Sequence, residues 1–264
     1  RSPETDLPAL AEVGGKALSL IRSSRAGLPV PDGVALGVSF FEAWVEEITS
    51  THEWMALLDG PSRDRCEALQ ARATALQFSD VQSSALAEAL GTLGGDRFAV
   101  RSSSPEEDLE GASFAGMYES FLGTTREQIA TNVRRAWISM LDWRVVEYKT
   151  QRQIDIDNPA IAIVVQDQIA SEVSGVGFSL NPLNNCFDEA VINASFGLGE
   201  AIVSGAVTPD DYIVEKVRGE ILARTVSEKS RMLCLADDGG VEARAPTAPK
   251  AQALNDSQIM ELTN

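Results

Sequence analysis

Apolar side chains recur at helical spacing through the first half of this sequence and at strand spacing through much of the second. Over 17–25, Ala17, Leu18 and Ile21 form one side of a helix, which Gly27, Pro29 and Pro31 end. Val30-Pro31-Asp32-Gly33 then reads as a turn before a strand over 34–38, and 39–48 as a further helix. Ala and Leu repeat at three- and four-residue spacing through 53–93, which predicts several short helices. A brief apolar run follows, with Phe98 and Val100 on one face of a strand and Ala99 and Arg101 on the other. From 126 to 148 the stripe Ile129, Val133, Trp137 and Met140 predicts one long helix against a core.

Residues 160–167, AIAIVVQD, are apolar on both faces and predict an interior strand whose polar exception is Gln166. Strands are expected over 176–180, 189–194, 212–217 and 220–225, with Arg218-Gly219 joining the last two as a hairpin. Between them, Ser195-Phe196-Gly197-Leu198-Gly199-Glu200 marks a strand-to-helix junction and opens a short helix over 201–203. Beyond Glu228 the pattern turns irregular through 237–240 and 245–249, and 255–262 begins a last helix. No internal repeat is visible. The prediction is an α+β protein with a helix-rich lobe near 1–150 and a sheet-rich lobe near 151–264.

Charge narrows the partners. Thirty-nine acidic residues stand against 22 Lys and Arg, a formal net charge of −17, which argues against nucleic acid and anionic membrane. An anionic substrate must therefore be held by a few local cations. No apolar run approaches the roughly 18 residues of a membrane span. The three cysteines, Cys66, Cys186 and Cys234, lie far apart in the sequence and lack metal-ligand spacing, which points to a reduced, cytoplasmic setting. His52 is the single histidine, in a surface-helix context, so neither a serine-hydrolase triad nor a histidine-ligated metal is expected.

The chemistry concentrates in 98–116, FAVRSSSPEEDLEGASFAG. A strand delivers Arg101 beside three serines, then Glu106, Glu107 and Asp108, then the small-residue loop Gly111-Ala112-Ser113-Phe114-Ala115-Gly116. A guanidinium offers phosphate a bidentate fork, and glycines let backbone N–H groups approach an anion. A plainer reading also fits: Ser104 caps a helix, Pro105 occupies its first position, and acids fill the first turn.

Four segments carry a resemblance: GGKALSLIRSSRAGLPVPDG (14–33), the 98–116 motif, AIVVQDQIASEVSGVGFSLNP (162–182) and INASFGLGEAIVSGAVTPDDYIV (192–214). In this order they resemble the nucleotide-binding domain of phosphoenolpyruvate synthase, pyruvate phosphate dikinase and rifampin phosphotransferase. The resemblance implies an ATP-grasp fold, α+β lobes that clamp ATP, and Mg²⁺ beside it. It implies transfer of the β-phosphoryl group through a histidine on a separate swivelling domain to pyruvate or another small molecule, releasing AMP and phosphate. Lys16 matches the lysine on the ATP phosphates, and Arg101 the arginine that neutralises the triphosphate. Gly116 lies in the loop covering the phosphates, Ser120 stands where relatives commonly have threonine, and Gln166 matches the glutamine at the adenosine end.

Each of these residues also has a plain reading. Lys16 could be a solvated first-turn lysine, though the helix dipole disfavours a cation there. Arg101 could pair with Glu106, Glu107 or Asp108, Gln166 could be a satisfied buried amide, Gly116 an ordinary turn and Ser120 a surface hydroxyl. Glu200 begins a helix, where a carboxylate is favourable in any case, so its position alone does not decide between a ligand role and a plain one. In relatives a further strand with a PQDIEWA-like motif supplies Mg²⁺ ligands. The sequence stops before it at Asn264, so a domain lacking its last strand, unable to turn over alone, is expected. The same half could serve an antibiotic or other small-molecule phosphotransferase, a biosynthetic ligase, or a non-catalytic nucleotide-binding module.

Overall fold

A computed structural model describes residues 7–106, 114 and 116–263. In chain order the elements of the first half are α1 (Leu10–Arg25), β1 (Gly33–Leu36), α2 (Glu42–Thr49), α3 (His52–Asp59), α4 (Arg63–Ala73) and α5 (Asp80–Leu90). Then come β2 (Phe98–Ser103), β3 (Ser120–Thr124), α6 (Ile129–Ile138), α7 (Trp143–Gln151) and β4 (Ala162–Asp167). The second half holds β5 (Val173–Phe178), β6 (Glu189–Phe196), α8 (Glu200–Val203), β7 (Asp210–Glu215), β8 (Glu220–Thr225), β9 (Met232–Leu235), β10 (Val241–Arg244) and α9 (Asp256–Glu261).

The chain forms two compact units, Arg1–Gln168 and Ile169–Asn264. The division lies at 168/169. The reason is strand pairing: β4 is hydrogen-bonded between β1 and β2 and therefore belongs to the first unit.

In that unit four antiparallel strands run in the order β1-β4-β2-β3. Phe98, Val100, Ile163 and Val165 point to one face, where Phe41, Trp44, Ile48 and Trp137 complete an apolar core. Trp44 meets Trp137 edge-on, with ring centroids 5.4 Å apart, a favoured aromatic geometry. The stripe Ile129, Val133, Trp137 and Met140 is buried in this core. The long helix expected over 126–148 is broken at Asp142, whose carboxylate accepts a hydrogen bond from the Arg144 N–H at 2.8 Å. A short acidic side chain that captures a backbone donor starts a new helix instead of continuing the old one. The opposite face of the sheet is covered by α1, with Val13, Ala17 and Leu18 packed on Val164.

The second unit is a meander, β5-β6-β7-β8, all antiparallel. Ile192, Ala194, Tyr212 and Val214 pack against Ala253, Leu254 and Ile259. Where the sequence read as irregular, β9 and β10 form a two-stranded hairpin. Four-residue strands of intermediate or full exposure give too short an alternation to register as a pattern. β7 and β8 form the expected hairpin, but β7 ends at Glu215, so the connection is 216–219 and not Arg218-Gly219 alone. The final helix follows expectation, and Asn255 and Gln258 close a reciprocal capping box. Among the described residues no helix is long and apolar enough to cross a membrane.

Candidate functional site

Strand register decides which side chains share a surface. Arg101 in β2 stands opposite Ser120 of β3 and Val164 of β4, and Gln166 stands opposite Ala99 and Gly33. Directly opposed residues of antiparallel strands point to the same side, as do residues two apart on one strand. Ser120, Arg101 and Gln166 therefore project to one face, the face that α1 covers, away from the aromatic core. Arg101 is half-buried, Gln166 buried and Ser120 exposed.

Helix α1 begins at Leu10, seven residues before the expected start, and kinks at Gly14, where φ is +74°. Lys16 follows the kink and extends its ammonium to the Ser102 carbonyl at 2.8 Å, one residue from Arg101. Gly15 N donates to the Ser104 carbonyl at 3.3 Å. A Cβ on Gly14 would lie 2.2 Å from the Ser103 carbonyl oxygen, so only glycine allows both the backbone turn and this approach. Two cations 85 positions apart in the chain thus come to neighbouring residues.

The alternative partners of Arg101 are answered in part. Glu106 forms its ion pair with Lys149 of α7, and Glu107 and Asp108 lie outside the described residues. Among the described residues the Arg101 guanidinium makes no hydrogen bond or ion pair. Past Ser104 the described chain turns through Pro105 and Glu106, with the Glu106 N–H on the Ser104 hydroxyl at 3.1 Å. Of the small-residue loop, 111–113 and 115 lie outside the described residues. Gly116 is exposed, with φ of +73° and open space on its Cβ side, as a backbone free to approach a ligand requires. Phe114 is buried, stacks on Tyr118 at 5.8 Å and meets Tyr148 edge-on at 5.0 Å.

A cleft of about 280 Å³ opens between α1, β1 and β4, walled by Ala17, Ile21, Val34 and Val164, with Gln166 and Asp32 as polar groups. Gln166 Nε2 donates to the Pro31 carbonyl at 3.0 Å, which leaves its Oε1 as an acceptor. Apolar walls with a single oriented amide suit a flat heterocycle.

Residue chemistry points to Arg101 and the loop that holds Gly116, and resemblance to Lys16, Ser120 and Gln166; neither shows that Ser103 and Gly14 join the segments of Lys16 and Arg101. The glycine turn at 197–199 and Glu200 belong to the second unit, where Leu198 N donates to the Leu233 carbonyl at 2.8 Å. Among the described residues no group of three or more His, Cys, Asp or Glu side chains is placed to hold a metal ion.

Residues 10–264 match the model of the pyruvate phosphate dikinase AMP/ATP-binding domain. The chain is 37% identical, over 94% of its length, to an uncharacterized phosphotransferase YvkC of Bacillus subtilis. It is 31% identical over 95% of its length to a probable phosphoenolpyruvate synthase of Pyrococcus abyssi, and 34% over 98% to a rifampicin phosphotransferase of Streptomyces. It spans 29%, 37% and 31% of those proteins respectively, about a third of each. Its mixed helix and sheet agree with the α+β ATP-grasp type. The match across nearly the whole chain means that this protein belongs to the family of pyruvate phosphate dikinase AMP/ATP-binding domains.

Proposed function

We propose that this chain is the ATP-binding half of a dikinase-type phosphotransferase, similar to pyruvate, water dikinases. In this reading ATP gives its β-phosphoryl group to a histidine on a separate domain and leaves as AMP and phosphate. The acceptor, pyruvate or another small molecule, meets that histidine on a further domain. Lys16 and Arg101 hold and neutralise the triphosphate, the Gly116 backbone and the Ser120 hydroxyl contact its oxygens, and Gln166 orients the base. Phosphoryl transfer asks a protein for positioning and charge neutralisation more than for covalent chemistry, and a half-buried guanidinium supplies both at low dielectric. The Gln166 Oε1 acceptor suits the exocyclic amine of adenine and repels the carbonyl of guanine. Mg²⁺ would arrive as the counter-ion of ATP. The free cysteines favour a cytoplasmic setting for the reaction.

The observation that supports this most is the Lys16 ammonium 2.8 Å from the carbonyl next to Arg101, on the face that also carries Gln166. Calorimetric titration of ATP into the chain, with Arg101→Ala beside it, tests the reading. The variant is expected to bind about tenfold or more weakly, since a hydrogen bond to a charged group is worth about 1.5–3 kcal/mol. Equal affinity of variant and parent would overturn it.

A further inference from the structure

We infer that Ser103 is a positioning residue that sets the Lys16 ammonium against Arg101 by bridging the kink in α1; the inference rests on the triphosphate reading above. The Ser103 side chain is wholly buried. Its hydroxyl accepts from Ala17 N at 3.0 Å and donates to the Val13 carbonyl at 2.8 Å. Val13 and Ala17 are an i, i+4 pair, the two ends of one helical hydrogen bond, and the non-helical residue Gly14 lies between them. A side chain from another element has thus joined the helical ladder at the point where α1 bends, a recognised cause of helix kinks. Both capacities of the hydroxyl are used, so it fixes the helix in position and in rotation.

The consequence falls on Lys16, which lies between the two bridged residues. Lys16 reaches the Ser102 carbonyl, and Gly15 N reaches the Ser104 carbonyl. Three successive residues of β2 and its exit, 102–104, thereby hold three successive residues of α1, 15–17. Without the Ser103 oxygen, Val13 and Ala17 would satisfy each other directly, straightening α1 and carrying Lys16 away from Arg101. Ser103 touches no substrate in this scheme and acts through Lys16.

The test is a double-mutant cycle read in ATP affinity, with Ser103→Ala, Lys16→Ala and the double variant, and melting temperatures in parallel. Lys16→Ala and Ser103→Ala are each expected to weaken ATP about tenfold, the scale of one charge-assisted contact. The double variant is expected to bind no worse than Lys16→Ala. A merely structural serine would lower the melting temperature but give additive losses. Additive losses, or unchanged affinity in Ser103→Ala, would overturn the inference and leave the triphosphate site standing. Unchanged affinity in Lys16→Ala would overturn both. If Ser103→Ala does not fold, hydrogen exchange on the parent decides. Saturating ATP should slow the Gly15 and Ala17 amides well beyond those of α5, and equal slowing would overturn the inference.

Discussion

Asp210 and Lys229 form an ion pair whose two side chains are both completely buried. The carboxylate also accepts from Ala253 N at 2.7 Å, Ser227 N at 2.9 Å and the Tyr212 hydroxyl at 3.1 Å. Lys229 donates to the Ser227 carbonyl at 2.9 Å and lies 5.3 Å from the centre of the Phe196 ring. Burial pushes the Asp210 carboxyl upward, but the bonds from Lys229, Ala253, Ser227 and Tyr212 outweigh it, and the group ends below its ordinary value. A carboxyl lowered in this way stabilises the fold above its unfolded pKa of about 3.9 and loses that contribution as pH falls through the folded value. Lys229→Met keeps the bulk but removes the countercharge, leaving a buried carboxylate with neutral donors. The expected cost at pH 7 is about 3–5 kcal/mol. In the variant, burial is no longer offset by the ammonium, so the carboxyl moves up and protonates as pH falls toward about 4. The variant then regains stability while the parent stays level, and the gap narrows. Urea unfolding followed by circular dichroism from pH 4 to 8 measures this. A gap below about 1 kcal/mol at pH 7, or one that does not change with pH, would refute the reasoning.

Two further outcomes are expected. Burial raises the Cys66 thiol to about 11, and the Asp142 and Glu67 carboxylates add to the effect, whereas Cys186 and Cys234 are partly exposed. A disulfide reagent at pH 8 should therefore label Cys186 and Cys234 in the native protein and Cys66 only after unfolding; rapid native labelling of Cys66 would contradict this. Glu106→Gln leaves the buried Lys149 ammonium without its carboxylate and should cost about 1–3 kcal/mol in urea unfolding. A loss under about 0.5 kcal/mol would show that the pair is not holding the end of the 98–106 segment to α7.

Legibility followed the range of the interactions involved. The interior strand AIAIVVQD was readable because burial on both faces leaves a continuous apolar run, and β4 is indeed an interior strand, hydrogen-bonded between β1 and β2. The apolar stripe of α6, Ile129, Val133 and Trp137, was readable because its period is local. The strand over 173–178 was read three residues late, because Gly175 and Gly177 carry no strand signature. The break at Asp142 was missed because one carboxylate oxygen, not a change of period, ends the helix. At the site, the residue types in 98–116 announced anion chemistry, but the sequence left Arg101 between a phosphate and its own neighbouring acids. The ion pair of Glu106 with Lys149 removes one of those acids as a partner.

Local pattern and motif order thus determined the α+β class, most elements and the family of this chain. Periodicity and turn chemistry act over a few residues and are written in consecutive letters. Tertiary structure alone decided that β4 closes the first unit, that Arg101, Ser120 and Gln166 share a face, and that Lys16 joins them. It alone paired Asp210 with Lys229. The bonds from Lys16 to Ser102 and from Ala17 to Ser103 each span 86 residues, and that from Ser103 to Val13 spans 90. Such contacts depend on strand register and helix placement, which the packing of the whole unit sets and no local pattern records.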